Sequence, residues 1–401
     1  MCKDTAKGPT GVPTTALRNA AEQMRTAAAE IPDPRRRKKA PHPFPEIVVM
    51  AVTAVVCGAN QWTEVEEICQ GIESWLRGFL TLPSGVPSHD TFGRVFRLLK
   101  PELLARLMRD WTQRVCEAPG LLGEGNALRP QIAIDGKCNR RSHDRATGKE
   151  ALHMVSAYAT QTGLVLACLD VGTKSNEIPT VPDVLEQLEL SETVVTMDAM
   201  GCQTDTAQLI VDKEADYVLA LKGNQGGTHE EVKALFAELE GREREFDDVT
   251  VTHCRMEENG HGRQETREYF LATNIGGFRS GEKWPRFHGA IKVRSTRRER
   301  GQTSTEDRYY ITSLRRGVRT VAKYVRGHWG IENGLHWRLD ISFREDESRI
   351  RKGHGPANFA ILCRFAFNLL KSETTLKRGM NAKRLRALLN PEYRNRVLFQ
   401  T

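Results

Sequence analysis

Three acidic residues stand where solubility does not account for them. Asp135 closes the apolar run Gln131-Ile-Ala-Ile, and Asp198 closes Thr193-Val-Val-Thr-Met. Each opens a glycine-containing turn, Asp135-Gly136 and Asp198-Ala-Met-Gly201. Short apolar runs bounded by turn residues predict buried strands, each with its acid at the carboxyl end. If the two strands are neighbours in one sheet, both carboxylates emerge at one edge, where open α/β sheets bind ligands. The third acid, Glu332, belongs to the stretch Val321 to Asp340. At about 100° per residue, Val321, Val325, His328, Trp329, Glu332, Leu335, His336 and Leu339 share roughly a third of a helix circumference. That face is expected to turn inward, and a buried carboxylate is costly unless a base neutralises it or it binds a metal. Three such acids suit two Mg²⁺ (or Mn²⁺) ions about 3.5–4 Å apart. One ion activates a water or a 3′-hydroxyl, and the other stabilises the leaving oxygen of a phosphodiester. Singly, each acid has a plainer reading: Asp commonly forms turns, and a lone Glu can pair with a buried base. Asp340, Glu345, Asp346 and Glu347 are rival third acids: Asp340 lies off the apolar stripe, about 80° from Glu332, and the other three, mixed with Arg344, Arg349 and Arg351, read as surface ion pairs.

Composition narrows the setting. Lys and Arg outnumber Asp and Glu by 59 to 51, a net charge of +8 that favours a polyanionic partner. The excess is local, in Arg35-Arg-Arg-Lys-Lys39, Arg297-Arg-Glu-Arg300, Arg315-Arg316 and the segment Lys377 to Arg396. Nine cysteines are scattered with no Cys-x-x-Cys pair, which argues against a zinc ribbon and fits a reducing compartment. The most apolar segment, Ile47 to Ala59, is too short to span a bilayer, so a cytoplasmic location without membrane contact is expected.

The positioning elements follow from periodicity. Residues 1–42 read as a flexible basic arm that includes a short amphipathic helix, Leu17 to Ile31. Residues 43–118 are helical throughout and form a small all-α domain, read either as DNA-binding or as an ordinary bundle packed on its neighbour. Its candidate reader is the helix opened by Ser88-His-Asp-Thr, with Ser88 as N-cap. Residues 128–225 run three strands, helix, strand, helix, strand. An antiparallel meander followed by right-handed β-α-β units gives an α/β fold with a mixed sheet and helices on both faces, the ribonuclease H-like arrangement. Residues 226–318 are a β-rich insertion, 319–372 return to the core with the Glu332 helix, and 373–401 form a basic tail. Gly327, Gly330 and Gly334 share the helix face opposite the stripe, which points to close approach by another element or DNA, or to a kink.

Several ordered motifs together resemble bacterial insertion-sequence transposases of the DDE type, in the ISAs family that includes the H-repeat-associated proteins. They are Trp62-Thr-Glu, Pro87-Ser-His-Asp-Thr91, Ile134-Asp-Gly-Lys137, His153-Met-Val-Ser-Ala157 and Lys174-Ser-Asn-Glu-Ile178. Thr196-Met-Asp-Ala-Met-Gly-Cys-Gln203, Asp216-Tyr-Val-Leu-Ala-Leu-Lys-Gly-Asn-Gln225 and Gly260-His-Gly-Arg263 follow. The last is His328-Trp-Gly-Ile-Glu-Asn-Gly-Leu-His-Trp337, running into Phe343-Arg-Glu-Asp346. The resemblance covers about residues 30 to 372 and implies that Asp135, Asp198 and Glu332 are the metal-binding catalytic triad. It implies metal-dependent cleavage and strand transfer at the ends of an insertion sequence, on double-stranded DNA, by a homo-oligomer in the bacterial cytoplasm at the nucleoid. The wider superfamily often carries Tyr, two residues, Arg, three residues, Glu, six residues, Lys; here those flanking places hold Val325, His328 and Leu339. Lys222, Asn224 and Gln225, following the fifth strand, read either as phosphate or base contacts or as a strand-ending turn, and on the Glu332 helix Tyr324, Arg326, His328, His336 and Arg338 are the candidates for gripping DNA, the two histidines reading also as core imidazoles. The alternatives are a domesticated relic that binds DNA without cutting it, and a metal-dependent nuclease.

Overall fold

A computed structural model describes residues 14–35, 40–116, 128–143, 148, 150–172, 178–240, 249–260, 263–275, 278–299 and 301–399. The basic residues 36–39, most of the 119–130 connector, and positions 174–177 and 261–262 of two motifs lie outside the described residues. Six helices come first: α1 (Thr14–Ala29), α2 (Phe44–Val56), α3 (Trp62–Gly71), α4 (Glu73–Leu76), α5 (His89–Leu98) and α6 (Pro101–Cys116). The core then alternates β1 (Gln131–Asn139), β2 (Leu152–Ala159), β3 (Leu164–Asp170), α7 (Thr180–Glu186), β4 (Val194–Met197), α8 (Thr204–Asp212) and β5 (Asp216–Leu221). After α9 (Gly226–Glu240) come β6 (Thr250–Gly260), β7 (Arg263–Thr273), β8 (Gly289–Glu299) and β9 (Gln302–Thr312). The chain ends in α10 (Val318–His328), a π-helical turn (Glu332–His336), α11 (Trp337–Phe343), α12 (Gly355–Ser372), α13 (Met380–Leu389) and α14 (Pro391–Phe399).

All nine strands join one mixed sheet in the order β3-β2-β1-β4-β5-β9-β8-β7-β6. β1 pairs antiparallel with β2 and parallel with β4, and β4 pairs parallel with β5. Strand alternation sorts the side chains into two layers. Ile132, Ile134, Val195 and Met197 pack with Val181, Val184 and Ile210 of α7 and α8. Ala133 and Val194 face the opposite layer, built from α10, the π turn, α11 and α12. By the same alternation Asp135 and Asp198 belong to this second side.

The insertion strands are longer than hydrophobic alternation predicts. Each spans 11 residues, because outer halves with charge on both faces are held by the backbone ladder and cross-strand pairs rather than by a core. Arg294 grips Asp307 in bidentate fashion at 2.9 and 2.8 Å across β8 and β9. The insertion also extends the core sheet directly, since β9 pairs with β5.

The termini differ from the expected arm and tail. Ala21, Met24, Ala28 and Ile31 are buried in the same core as α2, so this part of the arm is packed helix. Arg384 of α13 is 4% exposed and donates to the carbonyls of Val55 (2.9 Å) and Ala59 (2.9 Å), capping the end of α2. Arg394 of α14 donates to Ala387 and Leu388 carbonyls at 3.1 Å. These arginines satisfy backbone oxygens inside the fold, where charge counting placed a solvated tail. Two helices buried on every side, α2 and α12, unite this helical layer with the sheet. Ser88 holds the N-cap position of α5, but its hydroxyl meets Thr91 Oγ1 at 3.3 Å. The His89 N–H is satisfied instead by Glu66 Oε2 of α3, at 2.8 Å.

The glycines of the Glu332 helix mark close approach to β1 and β2. A Cβ at Gly327 would collide with Gln131 Oε1, and one at Gly334 with Tyr158 Oη; Gly330 lies against Thr160. A helical Gly→Ala change ordinarily gains about 1 kcal/mol. Here Gly334→Ala is expected to lose about 1–3 kcal/mol by overpacking, measured by chemical denaturation. Adding Tyr158→Phe, which removes the colliding oxygen, should recover part of the loss. Wild-type stability in Gly334→Ala would show that the helix does not press on Tyr158.

Candidate active site

The register Ile134↔Met197 makes Asp135 and Asp198 the next residues on adjacent parallel strands, which lie about 4.8 Å apart. β4 ends there while β1 continues to Asn139 against β2, so Asp135 is mid-strand and not terminal as expected. Its position is special because its parallel neighbour stops beside it. Asp135 Oδ1 accepts the Gly136 N–H at 2.9 Å, and Asp198 Oδ1 accepts that of Met200 at 2.9 Å. Each carboxylate is thus held by a backbone N–H just beyond it, within the strand at Asp135 and in the turn after β4 at Asp198.

Glu332 opens the π turn. A π turn widens the helix locally and is frequent at functional sites. Its effect here corrects the expected inward face. Val321, Val325, Leu335, His336 and Leu339 are buried, but the Glu332 side chain is 52% exposed and Trp329 also reaches solvent. Glu332 thus stands at the rim. Asp135 Oδ2 and Glu332 Oε2 each lie 3.5 Å from His336 Nδ1. Among the described residues, Asp135, Glu332 and His336 form the one group of metal-capable side chains with ligand atoms within 4.8 Å of one another. Asp198 lies outside that group, one strand over. The His336 imidazole holds the Glu332 carboxyl below its usual range, outweighing the upward push of partial burial.

The remaining candidates divide sharply. His328 Nδ1 lies 3.1 Å from Thr196 Oγ1, which accepts the Gln131 Nε2–H at 3.0 Å, leaving the threonine proton free for the ring. Tyr324 is a correction: it is 2% exposed and its hydroxyl donates to the Arg129 carbonyl at 3.0 Å, so it is a core residue. Arg326 is held by Glu258 of β6 at 2.8 and 3.0 Å, tying α10 to the insertion. Asn224 and Gln225 brace the loop after β4, donating to the carbonyls of Ala199 and of Cys202 (2.9 Å). Lys222 is exposed, and Arg338 is half-buried with Nε lacking a hydrogen-bond partner.

Two groups beside the site were missed in the sequence. Lys137, buried, pairs with Asp340 at 2.7 Å and Asp346 at 3.2 Å, clamping β1 to the helix that follows Glu332. The signal was present: Lys137 lies two residues beyond Asp135 and so shares its sheet face. Arg364, inside α12, pairs with Glu345 at 2.6 Å and donates to Ser156 Oγ at 3.1 Å. Ser156 is the cross-strand partner of Asp135. Glu345 is therefore a buried ion-pair partner and not a surface one, because α12 brings a guanidinium into the interior beneath it.

Comparison with known proteins accords with this arrangement. A family model described as "Transposase DDE domain" matches residues 124–369, and one described as "DDE_Tnp_1-associated" matches residues 26–112. The chain belongs to the DDE-domain transposase family, and it is a transposase. It is 34% identical over 372 residues to "Putative transposase YncI" of Escherichia coli O157:H7, covering 92% of both chains. It is 31% identical over 375 residues to "H repeat-associated putative transposase YhhI" of Escherichia coli K12, covering 92% of this chain and 95% of that one. Over 284 residues it is 40% identical to an uncharacterised protein of Xanthobacter autotrophicus, covering 71% of this chain and 92% of the relative. No helix among the described residues is long and apolar enough to cross a membrane.

Burial pushes the His328 imidazole down to about 4, although Asp198 and Glu332 favour its charged form. The depressed folded-state value means that the unfolded chain binds the extra proton first as pH falls. The associated stability is fully present above about pH 6.5 and is lost as pH falls toward 4. Histidine-selective NMR titration should find one ring that stays neutral at pH 5. Asp198→Asn should lower its midpoint further, because a carboxylate that favours the imidazolium has gone.

Proposed function

We propose that this transposase binds the ends of an insertion sequence, cuts them by metal-dependent hydrolysis and joins the new 3′-hydroxyl to target DNA. The observation that carries the proposal is the parallel β1/β4 register, with Asp135 and Asp198 side by side and Glu332 facing Asp135 from the helix. The strand order β3-β2-β1-β4-β5, with helices on both faces, supports a ribonuclease H-like core. The motifs around Glu332 support membership of the ISAs group. The donor set fits a divalent cation: two carboxylates and one imidazole converge at a half-exposed rim. Bound there, Mg²⁺ or Mn²⁺ would supply activation of the attacking oxygen and charge stabilisation of the leaving oxygen.

The chain's own residues do the positioning. Asp135, Asp198 and Glu332 would hold the cations; the Gly136 and Met200 N–H groups keep the two aspartates oriented. In hydrolysis a water oxygen bonds to phosphorus while the 3′-oxygen departs and takes up a proton. In strand transfer that 3′-hydroxyl loses its proton, attacks a target phosphorus and displaces the target's own 3′-oxygen. Exposed Arg94 and Arg97 of α5, Lys100 just past its end and Lys222 just past β5 suit phosphate contacts by counterion release. Joining two ends calls for an oligomer assembled on DNA.

A cleavage and joining assay on labelled DNA bearing the element's own ends tests this. Wild type should nick the ends only with a divalent cation. Glu332→Gln should lose at least about 100-fold in nicking while retaining DNA binding. Undiminished cleavage by Glu332→Gln would remove Glu332 from the site, and binding without cleavage by wild type would make the protein a DNA-binding relic.

A further inference from the structure

The cation site contains a donor that is not an acid. We infer that His336 Nδ1 is a direct ligand of the divalent cation shared by Asp135 and Glu332, an inference that rests on the cation-dependent reading above. The ring is 5% exposed and fixed within the helix between buried Leu335 and Leu339. Its Nδ1 is equidistant from Asp135 Oδ2 and Glu332 Oε2, at 3.5 Å from each. A hydrogen bond would draw one of them to about 2.9 Å. Separations near 3.0–3.5 Å are instead about what ligand atoms keep from each other around a cation with bonds of about 2.1 Å. The ring's other nitrogen, Nε2, is buried without a hydrogen-bond partner. No second contact therefore competes to turn Nδ1 away from the carboxylates.

The chemical consequence concerns which metal binds. Carboxylates and water suit Mg²⁺, whereas an imidazole nitrogen favours transition ions, and Mn²⁺ accepts both donor types. A site of two carboxylates and one imidazole should prefer Mn²⁺ over Mg²⁺ more strongly than an all-carboxylate site. The competing account is that His336 is an imidazolium bridging two acids and leaves, or stays protonated, when a metal arrives.

Pulsed electron paramagnetic resonance on the full-length protein loaded with Mn²⁺ separates the two accounts. The expected result is ¹⁴N modulation from a directly bound nitrogen, converted to the ¹⁵N pattern when the histidines are ¹⁵N-labelled. His336→Gln should abolish it, weaken Mn²⁺ binding by about 10–100-fold and narrow the Mn²⁺/Mg²⁺ preference. Glu332→Gln should also weaken Mn²⁺ binding. If His336→Gln does not fold, His336→Asn takes its place, since histidine labelling alone does not separate His336 from His328. Mn²⁺ bound in a Glu332-dependent way without nitrogen coupling would overturn the ligand role of His336 while leaving the carboxylate site standing. Nitrogen coupling that survives in His336→Gln or His336→Asn would overturn it equally. Absence of any Mn²⁺ binding by wild type would overturn this inference and the cation-dependent reading together.

Discussion

The distance between one helix and one sheet governs this molecule. Glu332 can face Asp135 only if its helix rides lower on β1 and β2 than ordinary side chains permit. Gly327, Gly330 and Gly334 remove the obstruction, and Gln131, Thr160 and Tyr158 fill the space they leave. Gln131 then uses both amide hydrogens, donating to the Tyr324 carbonyl at 2.7 Å and to Thr196 at 3.0 Å. The same side chain that touches the helix thus also braces β4, the strand that leads into Asp198. Helix depth and strand spacing are set by one set of contacts, and the π turn adjusts the last part of the approach.

Charge inside the fold does the complementary work. Lys137, Asp340 and Asp346 tie β1 to the chain after Glu332, while Arg364, Glu345 and Ser156 tie α12 to β2. Both clusters flank Asp135 on the sheet, one along its own strand and one across from it. Buried ion pairs contribute little net stability, yet losing one partner strands a charge at a cost of about 3–5 kcal/mol. Such pairs make every displaced arrangement of the two layers expensive. That suits a site whose half-exposed acid has few other restraints.

The parts of this arrangement that local pattern encodes were legible in the sequence. Ile132, Ile134, Val195 and Met197 alternate, so the two strands and the face shared by their aspartates could be read directly, whereas the turn expected after Asp135 was overridden by the pairing of β1 with β2 as far as Asn139. The glycine face announced close approach. What pattern does not encode is the outcome of tertiary competition. The π turn depends on how Leu335 and His336 seat against the sheet, so a uniform helical wheel turned Glu332 inward. Arg364, Arg384 and Arg394 count as surface charge in composition, but buried acceptors came from residues as distant as Val55, Ala59 and Ser156. Tyr324, proposed for DNA, was claimed by the core, where its ring packs with Val321 and Val325 and its hydroxyl donates to the Arg129 carbonyl.

Continuity of the sheet has a consequence for how this chain could have been built. β9 covers the edge of β5, and β8, β7 and β6 follow it outward. An appendage joined by a loop can be gained or lost with little penalty. This one cannot, because deleting it would bare a strand whose Val218 and Leu219 are otherwise enclosed and leave its backbone groups unpaired at an adhesive edge. Arg326, reaching from α10 to Glu258, fastens the same appendage to the helix that leads to Glu332. Core and insertion are therefore one inheritable unit, and any shorter descendant must first acquire a different cover for β5.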